Sequence, residues 1–131
     1  MQRIVIDTNV IISSAISTQG NPAKIMDLVL NKKFKVYYSS EIMAEYIRVL
    51  AKPRLNFTSE IQEFFLNGIK RAGILINPPA STLPMSDESD RVFYDLAKEV
   101  GAIIITGNTK HYPGEEFVMT PGEFLEFIDY E

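Results

Sequence analysis

No cysteine occurs anywhere in the 131 residues, so neither a disulfide framework nor a thiolate metal site is open to this chain. Histidine is nearly as scarce, with His111 the only one. Any metal must therefore be held by oxygen ligands or by that single imidazole. Long hydrophobic runs are missing as well. No apolar stretch approaches the ~18 residues of a membrane span, and the first apolar run is interrupted by Asp7 and Asn9 with no cleavage region behind it, so it does not read as a signal peptide. A cytoplasmic location and no membrane partner are expected. Nor is there an excess of positive charge, since 13 basic against 17 acidic side chains leave a net charge of −4. That argues against a broad electrostatic coat for nucleic acid but leaves room for a local basic rim. What is present, 46% hydrophobic and 23% charged residues, is the composition of an ordinary globular protein. The length suits one domain over residues 1–131.

Strand and helix signals alternate along the chain. Arg3 to Ile6 is an apolar, β-branched run of the kind that makes a strand buried on both faces, and it stops at Asp7. Asn21-Pro22 reads as cap and first-turn proline of a helix through Lys33 that buries Ile25, Met26, Leu28 and Val29. Phe34 to Ser39 reads as a second strand. Ser40 then caps a helix with apolar positions Ile42, Met43, Tyr46, Ile47 and Leu50, ended by Lys52-Pro53. Ser59 with Gln62 makes a capping box for a helix carrying Ile61, Phe64, Phe65 and Ile69, closed by Gly73. Ile74 to Ile76 is a short strand, and the three prolines between Asn77 and Pro84 mark a loop. From Asp87 an amphipathic helix buries Val92, Phe93, Leu96, Ala97 and Val100 and stops at Gly101. Ala102 to Ile105 is another strand, ending in Thr106-Gly107-Asn108-Thr109. Phe117 to Met119 is the last, and Thr120-Pro121-Gly122-Glu123 opens a terminal helix. This alternation implies a parallel or mostly parallel sheet covered by helices on both faces.

The acids fall at telling places. Asp7 closes the first strand, Glu45 lies one turn into the helix after the second, Asp87 and Asp90 begin the helix before the fourth, and Asn108 follows the fourth. Strand carboxyl ends and the starts of the helices after them share one edge of such a sheet, where ligands bind. On topology alone, the helix of Asp87 and Asp90 runs the other way, which sets its first turn at the opposite edge unless the loop before it carries it over.

Four motifs in order resemble the PIN domain family over essentially the whole chain: Asp7-Thr8-Asn9 after the first strand, Ser39-Ser40 followed by Glu45, Asp90 heading the helix that contains Ala97, and Thr106-Gly107-Asn108 after the fourth strand. The resemblance implies a three-layer α/β/α, Rossmann-like domain with a mostly parallel sheet of about four or five strands. It further implies a metal-dependent ribonuclease, most often the VapC-like toxin of a toxin–antitoxin pair, acting as a homodimer and inhibited by a cognate antitoxin. Asp7, Glu45 and Asp90 match the three shared acids. Many members have a fourth acid near the last turn, where this chain has Asn108 and, three places on, His111.

The chemistry asks for the same set. Phosphodiester hydrolysis needs a nucleophilic water and charge stabilisation, both supplied by a hard cation such as Mg²⁺ or Mn²⁺ on a few carboxylates. Clustered carboxylates repel one another unless a cation sits among them. Asp7 and Asp90 are the expected direct ligands, with Glu45 bound through water or orienting the attacking water, and Asn108 offering a carbonyl or holding a water. Thr8, Asn9 and Thr106 are expected donors that fix the carboxylates. Arg48, Lys52, Arg54, Arg91 and Lys110 are candidates for an RNA rim. Structural readings stand beside these. Asp7 or Thr8 could merely cap a helix, Glu45 could be a solvated helix position, and Asp87 is read as a cap at the margin of the site. His111 is read as part of a His111-Tyr112-Pro113-Gly114 turn. Phe64-Phe65 is read as core and dimer surface. A PIN-like module that binds RNA or protein without cutting is the alternative. A haloacid dehalogenase-type phosphatase would need an Asp where this chain has Asn9.

Overall fold

The strands are β1 (Arg3–Ile6), β2 (Lys35–Tyr38), β3 (Gly73–Leu75), β4 (Ile103–Ile105) and β5 (Val118–Met119). The helices are α1 (Thr8–Ile16), α2 (Asn21–Leu30), α3 (Ser40–Leu50), α4 (Ser59–Ala72), α5 (Arg91–Val100) and α6 (Pro121–Asp129). They come from a computed structural model that describes residues 1–112 and 117–129; Pro113 and Gly114, half of the expected turn, lie outside the described residues. The sheet has five strands in the order β3-β2-β1-β4-β5, and each of its pairings is parallel.

β1 sits at the centre for a reason legible in its side chains. Successive strand residues point to opposite faces, and Ile4, Val5 and Ile6 are all fully buried. Helices must therefore cover both faces. α2 packs on α1, α4 and α6, while α5 lies against β1 and β4. Gly68 of α4 lets α2 approach, since a Cβ there would stand 2.3 Å from Leu30 Cδ2. The edge strand β3 is different: Ile74 and Leu75 are exposed.

The parallel sheet corrects the expected placement of Asp87 and Asp90. β3, the loop at 77–84, α5 and β4 form a crossover between parallel strands, so α5, like α3, begins at the carboxyl edge of the strands. Strand order reverses at β1, with β2 on one side and β4 on the other. That reversal opens the crevice in which such sheets bind ligands, between the carboxyl ends of β1 and β4.

Several boundaries move by one residue. The caps are Gly20 for α2, Ser39 for α3 and Thr58 for α4, rather than Asn21, Ser40 and Ser59. Ser39 accepts from the Ile42 amide and Thr58 from the Ile61 amide. α2 stops three residues early because the chain turns through Lys32 at φ 58. The Thr120–Glu123 capping box forms as expected, each side chain accepting from the other's backbone N–H at 3.1 and 2.9 Å.

Candidate active site

The pairing of Ile6 with Ile105 brings the next residue of each strand, Asp7 and Thr106, side by side. Thr106 is fully buried, and its Oγ1 donates to Asp7 Oδ2 at 2.9 Å. Its two lone pairs accept from Asn9 Nδ2 at 3.3 Å and from the Asn108 backbone N–H at 3.1 Å. Asn9 Oδ1 in turn accepts from the Gly107 N–H at 3.0 Å. One threonine thus ties the β1 turn to the β4 turn with every hydrogen-bonding capacity of its hydroxyl used.

A second hydroxyl reaches the same carboxylate. Tyr112, 5% exposed, donates its OH to Asp7 Oδ2 at 2.9 Å. Among the described residues no donor reaches Oδ1. Asp7 does occupy the cap position of α1, yet its side chain makes no cap hydrogen bond. The capping reading therefore fails for its carboxylate, which faces the β4 turn instead.

Thr8 turns toward α3. Its Oγ1 donates to Glu45 Oε2 at 2.5 Å, and Glu45 Oε1 stands 3.9 Å from Arg48 Nη2. Glu45 is half-buried at this contact, not a freely solvated helix position. One residue on, the buried Tyr46 donates its OH to the Ile6 carbonyl, the last of β1. Burial first, then the Asp7 carboxylate, pushes the phenols of both Tyr46 and Tyr112 up. Both stay neutral donors at any ordinary pH.

Asp90 ends the 3₁₀ turn Glu88–Asp90 that leads into α5 and is 7% exposed. Its Oδ2 is buried without a hydrogen-bond partner; the nearby group is His111 Nδ1, 3.5 Å away. Burial, followed by the charges of Asp7, Asp87 and Glu45, raises its carboxyl to about 6, with His111 pulling the other way. Asp87 stands at the exposed margin as the cap of this turn, its Oδ1 accepting from the Ser89 N–H and Oγ at 2.9 and 2.8 Å.

Asp7, Glu45, Asp87 and Asp90 are thus electrostatic neighbours. Even so, among the described residues no three acidic or imidazole side chains close into a metal cage. Asp7, Glu45 and Asp90, expected to share an ion, therefore form no ready-made three-ligand cage among the described residues. Their mutual repulsion has a simple outlet, because hydroxyls hold Asp7 and Glu45 where they are. The donor set nonetheless fits a divalent cation: carboxylate oxygens suit Mg²⁺ or Mn²⁺, and the unpartnered Asp90 Oδ2 is a buried anion lacking the partner that burial demands.

Asn108 places its side-chain amide 2.8 Å from His111 Nε2. A cleft lined by Asn9, Val10, Ser13, Asn21, Gly107 and Asn108 adjoins the site. The basic candidates divide. Arg48 and Lys110 are exposed near the acids or the β4 turn, whereas Lys52 and Arg54 follow the far end of α3, roughly 10 Å along its axis from Glu45. Arg91 stands apart from both groups. Its guanidinium donates to Ser81 O and Oγ, to Leu83 O and to Glu88, so it fastens the 77–84 loop to α5 and offers nothing to a rim. Asp95 completes that clasp by accepting from the Ser81 N–H at 2.9 Å.

Sequence reasoning missed Tyr112 and the hydroxyl of Tyr46. Tyr46 was visible only as an apolar position of the 3.6 period; nothing local to Tyr112 announces its contact with Asp7, 105 positions away.

Acids at the carboxyl edge of a doubly wound parallel sheet stand where such sheets bind ligands, and the sequence profile of the PIN domain matches residues 3–110 of this chain. The chain belongs to the PIN domain family, whose members are in general nucleases. An uncharacterized protein of Methanocaldococcus jannaschii, MJ1680, is 35% identical over 109 residues, covering 81% of this chain and 70% of that protein. The crystal structure of PAE2754 from Pyrobaculum aerophilum matches with a TM-score of 0.64 over 99% of this chain and 91% of that one. At 11% identity that likeness concerns the fold alone. Among the described residues no helix is long and apolar enough to cross a membrane.

Proposed function

We propose that this chain is a metal-dependent endoribonuclease that hydrolyses phosphodiester bonds in RNA, and that it serves as the toxin of a toxin–antitoxin pair. The observation that carries the reading is Asp90, a buried carboxylate with an oxygen no donor reaches, beside the clamped Asp7 at the edge where such sheets bind ligands.

Asp7 and Asp90 are the residues that would hold the ion. Mg²⁺ or Mn²⁺ bound there would lower the pKa of a water and offset charge on the phosphate oxygens. The chain's own groups supply orientation. Thr106 and Tyr112 hold Asp7 Oδ2 and leave Oδ1 for the ion. Thr8 fixes Glu45 through Oε2, so that Oε1 is the oxygen able to take a proton from the attacking water. Asn9 and Thr106 keep the two turns in register, which sets where the carboxylates stand relative to a bound phosphate.

A homodimer and a cognate antitoxin belong to the same reading. The apolar groove lined by Ala15, Ile61, Phe64 and Phe65, with Phe64 59% exposed, offers the surface a partner would cover.

The neutral Asn108 and the open arrangement of the acids favour a second reading, a PIN-like module that binds RNA or protein without cutting. One experiment separates the two: single-stranded RNA incubated with the protein in Mn²⁺ or in EDTA, alongside Asp7→Asn. The nuclease reading expects cleavage that needs both the metal and Asp7, with the variant slower by about 10³-fold or more. RNA retained but uncut in Mn²⁺ contradicts it and favours the binder. Turnover of p-nitrophenyl phosphate in place of RNA would point to a phosphatase, although Asn9, tied to Thr106 and Gly107, supplies no second acid for one.

A further inference from the structure

We propose that His111 is a ligand of the same divalent ion as Asp90, giving a site of mixed oxygen and nitrogen character that prefers Mn²⁺ to Mg²⁺. The existence of the ion rests on the reading above; the place of His111 rests on separate geometry.

The imidazole Nδ1 stands 3.5 Å from Asp90 Oδ2, the buried oxygen without a hydrogen-bond partner. That gap is too long for a charge-assisted hydrogen bond, which closes to about 2.7–2.9 Å. It is the spacing of two ligands on one small cation, which for bonds of about 2.1 Å stand roughly 3.0–3.5 Å apart. Behind the ring, Nε2 contacts the Asn108 side-chain amide at 2.8 Å. The amide's oxygen and nitrogen exchange places by a half-turn. With the oxygen toward the ring, Nε2–H donates to it and Nδ1 keeps its lone pair facing Asp90. An imidazole that binds metal requires this tautomer, and a hydrogen bond at the other ring nitrogen is the usual way of fixing it.

The support runs deeper. Asn108 is anchored through its N–H to Thr106 Oγ1 at 3.1 Å, and the His111 N–H donates to the Asn108 carbonyl at 3.3 Å. The turn that orients Asp7 therefore also carries the imidazole to Asp90. The neutral residue at 108 thus has a task of its own, because its carbonyl oxygen fixes which ring nitrogen carries the proton and how the ring is turned. Carboxylate and water suit Mg²⁺, whereas an imidazole shifts preference toward transition metals.

His111 is the only histidine, so in tag-free protein any imidazole nitrogen on a bound ion must be its own. Electron spin-echo envelope modulation of the Mn²⁺-loaded protein should show ¹⁴N coupling in the wild type and none in His111→Gln. By calorimetry His111→Gln should weaken Mn²⁺ binding about tenfold or more while changing Mg²⁺ binding less than about twofold. Asn108→Ala should weaken Mn²⁺ binding through the loosened ring, and circular dichroism melts verify that both variants fold. Asp7→Asn is the arm for the ion site as a whole. Mn²⁺ binding that depends on Asp7 but lacks nitrogen coupling in the wild type overturns the role of His111 and leaves the metal-dependent reading intact. Absence of Asp7-dependent Mn²⁺ binding overturns both.

Discussion

Asp7 and Asp90 are equally hidden, each 7% exposed, and their surroundings are opposite. The β1–β4 turn gives Asp7 two hydroxyl donors, from Thr106 and Tyr112, on one oxygen. The start of α5 gives Asp90 a buried oxygen with none, and its carboxyl rises to about 6. Burial of an acid is therefore a poor guide to its role, whereas what solvates it is informative. A charge already met by protein dipoles is positioned, and at the edge where such sheets bind ligands a charge left unmet is open to a partner from outside the chain.

The largest stability effect tests the positioned half. Thr106→Val keeps the shape but removes the donor to Asp7 and the acceptor for Asn9 and Asn108, so the urea midpoint should fall by the equivalent of about 2–4 kcal/mol. A loss below ~1 kcal/mol would mean that the two turns are held by something else. Tyr112→Phe removes one donor from the same oxygen and should cost about 1–2 kcal/mol, with the cleavage rate lowered far less than by Asp7→Asn.

The unmet half is tested by pH. The Asp90 carboxyl lies near 4 when unfolded and about 6 when folded, so between those values the folded chain holds more protons than the unfolded one. Stability from this group is present below about pH 4 and is lost as pH rises to about 6. Urea midpoints in EDTA, compared between wild type and Asp90→Asn, should diverge in the variant's favour across that window and run parallel above it. Parallel curves throughout would show that Asp90 is not the strained acid.

The contrast between the two acids was only half legible in the sequence. Asp7, Glu45 and Asp90 announced themselves because strand ends and helix starts are readable from apolar periodicity, and parallel pairing sends them to one edge. Thr8, Asn9 and Thr106 could be read as donors for the same reason. Which donor serves which acid could not, because Tyr112 and Asp7, 105 positions apart, meet only in the folded chain. The caps of α3 and α4 slipped by one because Ser39-Ser40 and Thr58-Ser59 each offer two hydroxyls of equal capping power. Arg91 looked like a free cation because its partners, Ser81 and Leu83, sit in a loop whose path is set by tertiary contacts. Ile61 and Phe64 fell on an apolar helical face, and periodicity cannot say whether such a face meets the core or a partner.

That last ambiguity yields the smallest expected effect on the isolated fold. Phe64→Glu, at a side chain 59% exposed, should leave the urea midpoint within about 0.5 kcal/mol and the cleavage rate per protomer unchanged. If the proposed dimer forms on this face, the variant should shift toward monomer in sedimentation velocity; an unchanged sedimentation coefficient would contradict a dimer built on it.

The proposed function requires a divalent cation held between the carboxyl edge of β1 and the start of α5. Crystals soaked in Mn²⁺ near pH 7 and measured at the manganese absorption edge address it directly. The expected result is an anomalous peak bordered by Asp7 and Asp90. A well-ordered crystal with no peak there, or with manganese only at surface acids remote from both, would contradict it.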